Sequence, residues 1–124
     1  MNGKTILYVE DNEFNRKIVR DLLARTSYRL LEATDGESGV AMALRDTPNL
    51  ILMDIQLPKI SGLDATRRLR ADPRTAQIPI IAITSYALSG DEQKALDAGA
   101  SAYLAKPYSP RELLELIRKL APEH

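Results

Sequence analysis

The sequence has no cysteine, so disulfides, thiolate metal sites and a cysteine nucleophile are all excluded. Its single histidine is His124, the last residue, which argues against a catalytic triad or a histidine metal site. Neither charge dominates. Lys+Arg and Asp+Glu number 17 each, and that balance argues against generic attraction to nucleic acid or an anionic membrane. No apolar run approaches the roughly 20 residues of a membrane span. Neither G-x-x-x-x-G-K-[ST] nor G-x-G-x-x-G occurs, so the usual glycine-rich phosphate cradles are missing. Repeats, linkers and low-complexity tracts are absent too. Met1-Asn2-Gly3-Lys4 leads straight into a strand-like run without a signal-peptide core, and the default expectation is a cytoplasmic protein.

The length of 124 residues suits one domain, expected over 1–124, and 44% apolar with 27% charged residues is an ordinary globular balance. The centre of the pattern is Leu50-Ile51-Leu52-Met53, a continuous apolar run that reads as a strand buried on both faces and ends in a carboxylate, Asp54. Pro58 then forces a loop. At the carboxyl end of a parallel strand such an acid can emerge at the rim where open α/β sheets bind ligands.

The rest of the chain alternates around this run. Thr5 to Val9 reads as a central strand ending in Glu10-Asp11-Asn12. A helix with Ile18, Val19, Leu22 and Leu23 at helical spacing follows. Arg29 to Ala33 is a more polar strand, expected near an edge. Thr34-Asp35-Gly36-Glu37 opens a helix with Val40, Ala41 and Leu44 on one face. Ser61-Gly62-Leu63-Asp64 opens another, through about Leu69. Ile78 to Ile83 is a fourth strand ending in Thr84-Ser85. Ser89-Gly90-Asp91-Glu92 caps a short helix that stops at Gly99. Ser101 to Ala105 is a fifth strand ending at Lys106-Pro107. Ser109-Pro110-Arg111-Glu112 is the cleanest helix start, with Leu113, Leu114, Leu116, Ile117 and Leu120 behind it, and 121–124 are expected to fray. Five strands alternating with five helices imply right-handed crossovers, a doubly wound parallel sheet and helices on both faces.

In such a sheet all strand carboxyl ends share one rim. Here that rim carries Glu10 and Asp11, Asp54, Thr84 and Ser85, and Lys106. Crowded acids repel and raise one another's pKa, which a hard divalent cation relieves. Mg²⁺ takes oxygen ligands and typically uses one or two carboxylates plus a phosphate. The set therefore suits Mg²⁺ with a phosphoryl group, Lys106 and Thr84 donating to its oxygens. A phosphohydrolase of the haloacid dehalogenase type would need a second Asp two residues after the nucleophile, where this chain has Gln56. Each residue also has a plainer reading by itself. Glu10 and Asp11 could cap a helix, Thr84 could close a strand, Lys106 could be a solvated lysine and Tyr103 half-buried core. Phe14 and Ile18 are either core or an exposed apolar patch. The coincidence at successive strand ends is what favours a site.

These residues resemble the receiver domain of bacterial two-component response regulators, the CheY-like superfamily. Glu10-Asp11, Met53-Asp54 with Pro58 and Gly62 behind it, Thr84-Ser85 and Lys106-Pro107 carry the resemblance, which covers essentially the whole chain. Tyr8 to Glu13 with Leu52 to Pro58 looks closest to single-domain regulators of the DivK type, and receivers fused to hybrid histidine kinases look similar. The resemblance implies a flavodoxin-like fold with sheet order 2-1-3-4-5. It implies that Asp54 accepts a phosphoryl group from a histidine kinase or histidine phosphotransfer protein. It implies Mg²⁺ held by Asp11, Asp54 and the Gln56 carbonyl, with Glu10 acting directly or through water. Lys106 would pair with the phosphoryl group, Thr84 would turn inward to it, and Tyr103 would follow as the switch aromatic. Pro107 would follow a cis bond. Gln56 and Tyr86 sit where the family tunes adduct lifetime. Phe14, Asn15 and Ile18 would meet the phosphodonor, and Leu88, Tyr108 and Arg111 the downstream protein target. The only turnover expected is of the protein's own phosphoryl group, so it is not an enzyme in the ordinary sense. It is expected to be a monomer or weak dimer. Two departures stand out: Glu10 where many members have Asp, and Ser85 where Ala is common.

Overall fold

A computed structural model describes residues 3–84 and 90–123. The element order is β1 (Thr5–Val9), α1 (Glu13–Leu23), β2 (Arg29–Ala33), α2 (Gly36–Asp46), β3 (Leu50–Asp54), α3 (Gly62–Ala71), β4 (Ile80–Thr84), α4 (Asp91–Ala98), β5 (Ala102–Ala105) and α5 (Pro110–Leu120). The five strands form one parallel sheet in the order β2-β1-β3-β4-β5, the order the resemblance implies, and the polar β2 is indeed at an edge.

Side chains alternate across the strands, so each strand feeds two cores. Ile6, Tyr8, Leu50, Leu52, Ile81 and Ile83 face α1 and α5, meeting Val19, Leu23, Leu113 and Ile117. Leu7, Val9, Ile51, Met53 and Ile80 face the other way, against Ala43 of α2 and Ala65 and Leu69 of α3. Ala82 continues that second face toward α4, with Ala95 and Ala100. Having apolar residues at both parities is why the β3 run reads as continuous rather than alternating, and all five of its residues are buried.

Capping follows the local sequence. Asn12, Asp35 and Ser61 accept hydrogen bonds from the backbone N–H three residues on, and Ser109 with Glu112 forms the reciprocal box, Pro110 standing in the first turn. α4 differs. Its N-cap is Gly90 in the left-handed region, with no side-chain cap, and Ser89 lies outside the described residues.

Three expectations need correction. The buried face of α2 is Gly36, Gly39 and Ala43, and Ala41 is exposed. Gly39 sits so close to β1 that a Cβ there would lie 2.7 Å from a Val9 methyl, so the small residues of α2 face the sheet directly, while Val40 of the expected face packs at its flank and Ala41 does not. β4 begins at Ile80 and not Ile78, because Pro79 has no N–H to donate to a ladder, although its carbonyl accepts from Ile51. Residues 121–123 are anchored rather than frayed, and His124 lies outside the described residues. Ala121 is buried, its carbonyl accepts from the Tyr28 hydroxyl, and Glu123 accepts from Ser27 and Arg118. Ser27 and Tyr28 lie over 90 residues from these partners in the chain.

Candidate functional site

The site lies at the carboxyl rim of the sheet. Tyr8 and Glu10, Leu52 and Asp54, and Leu104 and Lys106 are pairs two residues apart, so Glu10, Asp54 and Lys106 continue the columns that face α1 and α5. Alternation thus aims three ionisable groups from β1, β3 and β5 to the same side of the sheet at its carboxyl rim. Asp54 is the last residue of β3. Behind it, the Ile55 N–H donates to the Ile83 carbonyl at 2.9 Å, and the Gln56 N–H donates to Asp54 Oδ1 at 2.9 Å. Gly62, the first residue of α3, packs so tightly on this bend that a Cβ would lie 2.0 Å from the Asp54 carbonyl oxygen.

Carboxylate oxygens of Glu10, Asp11 and Asp54 lie within 4.8 Å of one another. Glu10 and Asp54 are buried, at 1% and 3% exposure, while Asp11 is exposed at the mouth. Lys106 Nζ donates to Glu10 Oε1 at 2.9 Å and stands 3.9 Å from Asp54 Oδ2. Burial, reinforced by the neighbouring Glu10, pushes the Asp54 carboxyl up to about 7. For Glu10, burial pushes the same way. The hydrogen bonds from Asp54 and Lys106, with the Asn12 N–H, outweigh it and hold Glu10 below the usual carboxylate range. Burial and mutual contact thus push the two acids apart, Asp54 up and Glu10 down.

Such a site suits a small divalent cation. The donors are all oxygens, three carboxylates converge, and one acid carries a raised pKa that a positive charge would bring down. Thr84, the last residue of β4, is fully buried, and its Oγ1 accepts from Gln56 Nε2 at 2.7 Å. Its carbonyl accepts from the Lys106 N–H at 2.7 Å, tying the end of β4 to the lysine. The Lys106–Pro107 peptide bond is cis, as the resemblance implies. Tyr103 is half-buried against the Ala82, Ala95 and Ala100 cluster, on the opposite face from Lys106. Burial pushes its phenol up, with Asp91 and Glu92 adding to the effect.

The residues expected to meet partners divide. Phe14 and Ile18 are exposed, at 69% and 40%, which decides for a patch over core. Asn15 turns inward, its Nδ2 reaching Glu10 Oε1 at 3.4 Å. Asn15, Ile18, Lys106, Pro107 and Tyr108 line a cleft of about 240 Å³ beside the acids. Arg111 is exposed and pairs with Glu115. Ser85, Tyr86 and Leu88 lie outside the described residues.

Tyr8 and Arg16 touch Glu10, and sequence reasoning did not single them out. The Tyr8 hydroxyl donates to Glu10 Oε1 at 3.1 Å, and Arg16 Nη1 donates to the Glu10 carbonyl at 3.0 Å while its Nε pairs with Glu32. The signal for Tyr8 was its place two residues before Glu10 on the same strand face. Its apolar surroundings made it look like core alone.

Five parallel strands in this order, with three acids and a lysine at the carboxyl rim, define a receiver-type α/β domain. The chain matches the response regulator receiver domain over residues 6–118 and belongs to that family. It is 41% identical over 115 residues to the polar-differentiation response regulator DivK of Brucella anthropi, covering 93% of this chain and 94% of that protein, and the DivK of Brucella melitensis is equally similar. Among solved structures, the receiver domain of a sensor histidine kinase from Pseudomonas aeruginosa PAO1, with a magnesium ion coordinated in its active site cleft, is 40% identical. Its TM-score is 0.88, over 95% of this chain and 97% of that one. Chemotaxis protein CheY4 of Vibrio cholerae, 25% identical, gives a TM-score of 0.88 over 94% of this chain and 98% of its own. No helix among the described residues is long and apolar enough to cross a membrane.

Proposed function

We propose that this chain is a phosphoacceptor whose Asp54 takes a phosphoryl group from a phosphohistidine of a histidine kinase or phosphotransfer protein. A carboxylate oxygen of Asp54 would form the new O–P bond as the P–N bond breaks, and the departing imidazole nitrogen would take a proton. The observation that carries the reading is the Lys106 ammonium bridging Glu10 and Asp54 where the oxygens of Glu10, Asp11 and Asp54 converge. Asp11 and Asp54, with the Gln56 carbonyl and Glu10, would hold Mg²⁺. The bound ion would supply positive charge to the acids and the incoming phosphoryl oxygens.

The chain's own groups do the rest. Lys106 is poised to leave Glu10 for a phosphoryl oxygen, a move of one ammonium between neighbouring acceptors. Thr84 Oγ1 would exchange its Gln56 contact for a phosphoryl oxygen, and Tyr103 would follow into the space vacated on its face. Phosphorylation adds roughly −1.5 to −2 charge, and that charge would bias two states of the β4–α4–β5 region. The phosphodonor would dock on the exposed Phe14 and Ile18 of α1, beside the cleft lined by Lys106. Output would be a change in protein binding on the side of α4, β5 and α5, including Tyr108 and Arg111. The reading leaves no turnover of an outside substrate. It also suits a receiver module working within a hybrid kinase, for which the likeness to the Pseudomonas receiver domain is the specific support.

The test is labelling by a small phosphodonor, such as phosphoramidate, with and without Mg²⁺. Wild type should label to near one phosphoryl group per chain only with Mg²⁺, and Asp54→Asn should not label. Full labelling of Asp54→Asn would sink the assignment.

A further inference from the structure

Tyr8 has no part in the chemistry just described, yet it is a fully buried polar side chain aimed at the site. It stands in β1 two residues before Glu10, on the same face, and its hydroxyl donates to Glu10 Oε1 at 3.1 Å. The same oxygen takes the Lys106 ammonium at 2.9 Å and the Asn15 amide at 3.4 Å, while Oε2 accepts from the Asn12 N–H at 3.2 Å. Three side-chain donors thus converge on one carboxylate oxygen of Glu10. Of these donors, Lys106 carries the charge and stands 3.9 Å from Asp54 Oδ2, so Lys106 is the one drawn off when Asp54 gains a phosphoryl group.

We propose that Tyr8 is a positioning residue for the metal site, a fixed donor that keeps the Glu10 carboxylate oriented when Lys106 leaves it. This rests on the proposed Mg²⁺-dependent phosphoacceptor function. Hydrogen bonds from a second layer of residues fix the orientation of ligating groups, and losing one typically weakens metal binding by about tenfold or more. The arrangement also accounts for glutamate at position 10. An aspartate would withdraw the carboxylate by about one C–C bond, roughly 1.5 Å, beyond reach of a phenol already at 3.1 Å. Tyr8 and Glu10 form a matched pair, and the value of the hydroxyl depends on the length of the acid.

That dependence gives a readout that packing alone would not move, a double-mutant cycle on Mg²⁺ affinity. Mg²⁺ is titrated calorimetrically into the full chain as wild type, Tyr8→Phe, Glu10→Asp and the double variant, with thermal unfolding of each recorded alongside. Tyr8→Phe should weaken Mg²⁺ binding about tenfold in the Glu10 chain and less than about twofold in the Glu10→Asp chain. Equal weakening in both backgrounds, or unchanged affinity in the Glu10 chain, overturns the proposal. A wild-type chain that binds no Mg²⁺ overturns the phosphoacceptor reading as well, and that titration alone separates the two failures. If Tyr8→Phe does not fold, 3-fluorotyrosine at position 8, a stronger donor, replaces it. Tighter binding confined to the Glu10 chain supports the pair, and no change overturns it.

Discussion

Replacing Asp54 with Asn should make the metal-free protein more stable at pH 8. Asp54 is buried beside Glu10, and its carboxyl is raised from 3.8 to about 7. In the unfolded chain it ionises near 3.8. Between these values the folded state holds a proton that the unfolded state has lost, so stability falls as pH rises from about 4 to about 7 and levels off above. At about 1.36 kcal/mol per unit, the shift sets a ceiling of about 4 kcal/mol. Part of it mirrors the lowered pKa of Glu10, which contributes stability above its own unfolded value, so a net cost of about 2 kcal/mol is the working figure. An Asn at 54 keeps an oxygen for the Gln56 N–H and offers an amide N–H to Glu10. With an unfolding entropy of about 2.1 cal/mol/K per residue over 124 residues, about 2 kcal/mol corresponds to a rise in Tm of about 8 °C. Thermal unfolding by circular dichroism in chelator, from pH 4 to pH 8.5, is the assay. The gap between variant and wild type should be near zero at pH 4, grow to pH 7 and then flatten. A gap independent of pH, or a wild type more stable than the variant at pH 8, would refute the reasoning.

Lys106→Met should destabilise the metal-free protein by about 2 kcal/mol at pH 8, since it strips the ammonium from a buried carboxylate. Urea melts should show the loss shrinking toward pH 5.5 as the acid pair takes up protons. Gly62→Ala places a methyl into the Asp54 carbonyl and should cost about 3 kcal/mol or more by urea melts, with Mg²⁺ affinity reduced as the bend behind Asp54 is displaced. Tyr28→Phe removes the hydroxyl that holds the Ala121 carbonyl and should cost about 1 kcal/mol without altering Mg²⁺ affinity.

What could be read from the sequence was what depends on near neighbours. The apolar β3 run, the Ser109–Glu112 capping box and the polar residues at strand ends each state their role within a few residues, and alternation then brings Glu10, Asp54 and Lys106 together. What could not be read depends on contacts distant in the chain. Nothing around Ala41 or Ala43 shows that Gly39 will dock on Val9, and nothing around Ala121 shows that Ser27 and Tyr28 will anchor the tail. Tyr8 lies between these cases. Its spacing from Glu10 was visible, but its hydroxyl acquires meaning only once Lys106 and Asn15 are seen to share the same oxygen.

The central claim is that Asp54, among three clustered acids, forms the acyl phosphate. Treating the phosphodonor-labelled protein with borohydride reduces an aspartyl phosphate to homoserine, which peptide mass spectrometry locates. Homoserine at position 54, formed only when Mg²⁺ was present during labelling, is the predicted result. Homoserine at position 11, or none despite incorporated phosphate, would contradict it.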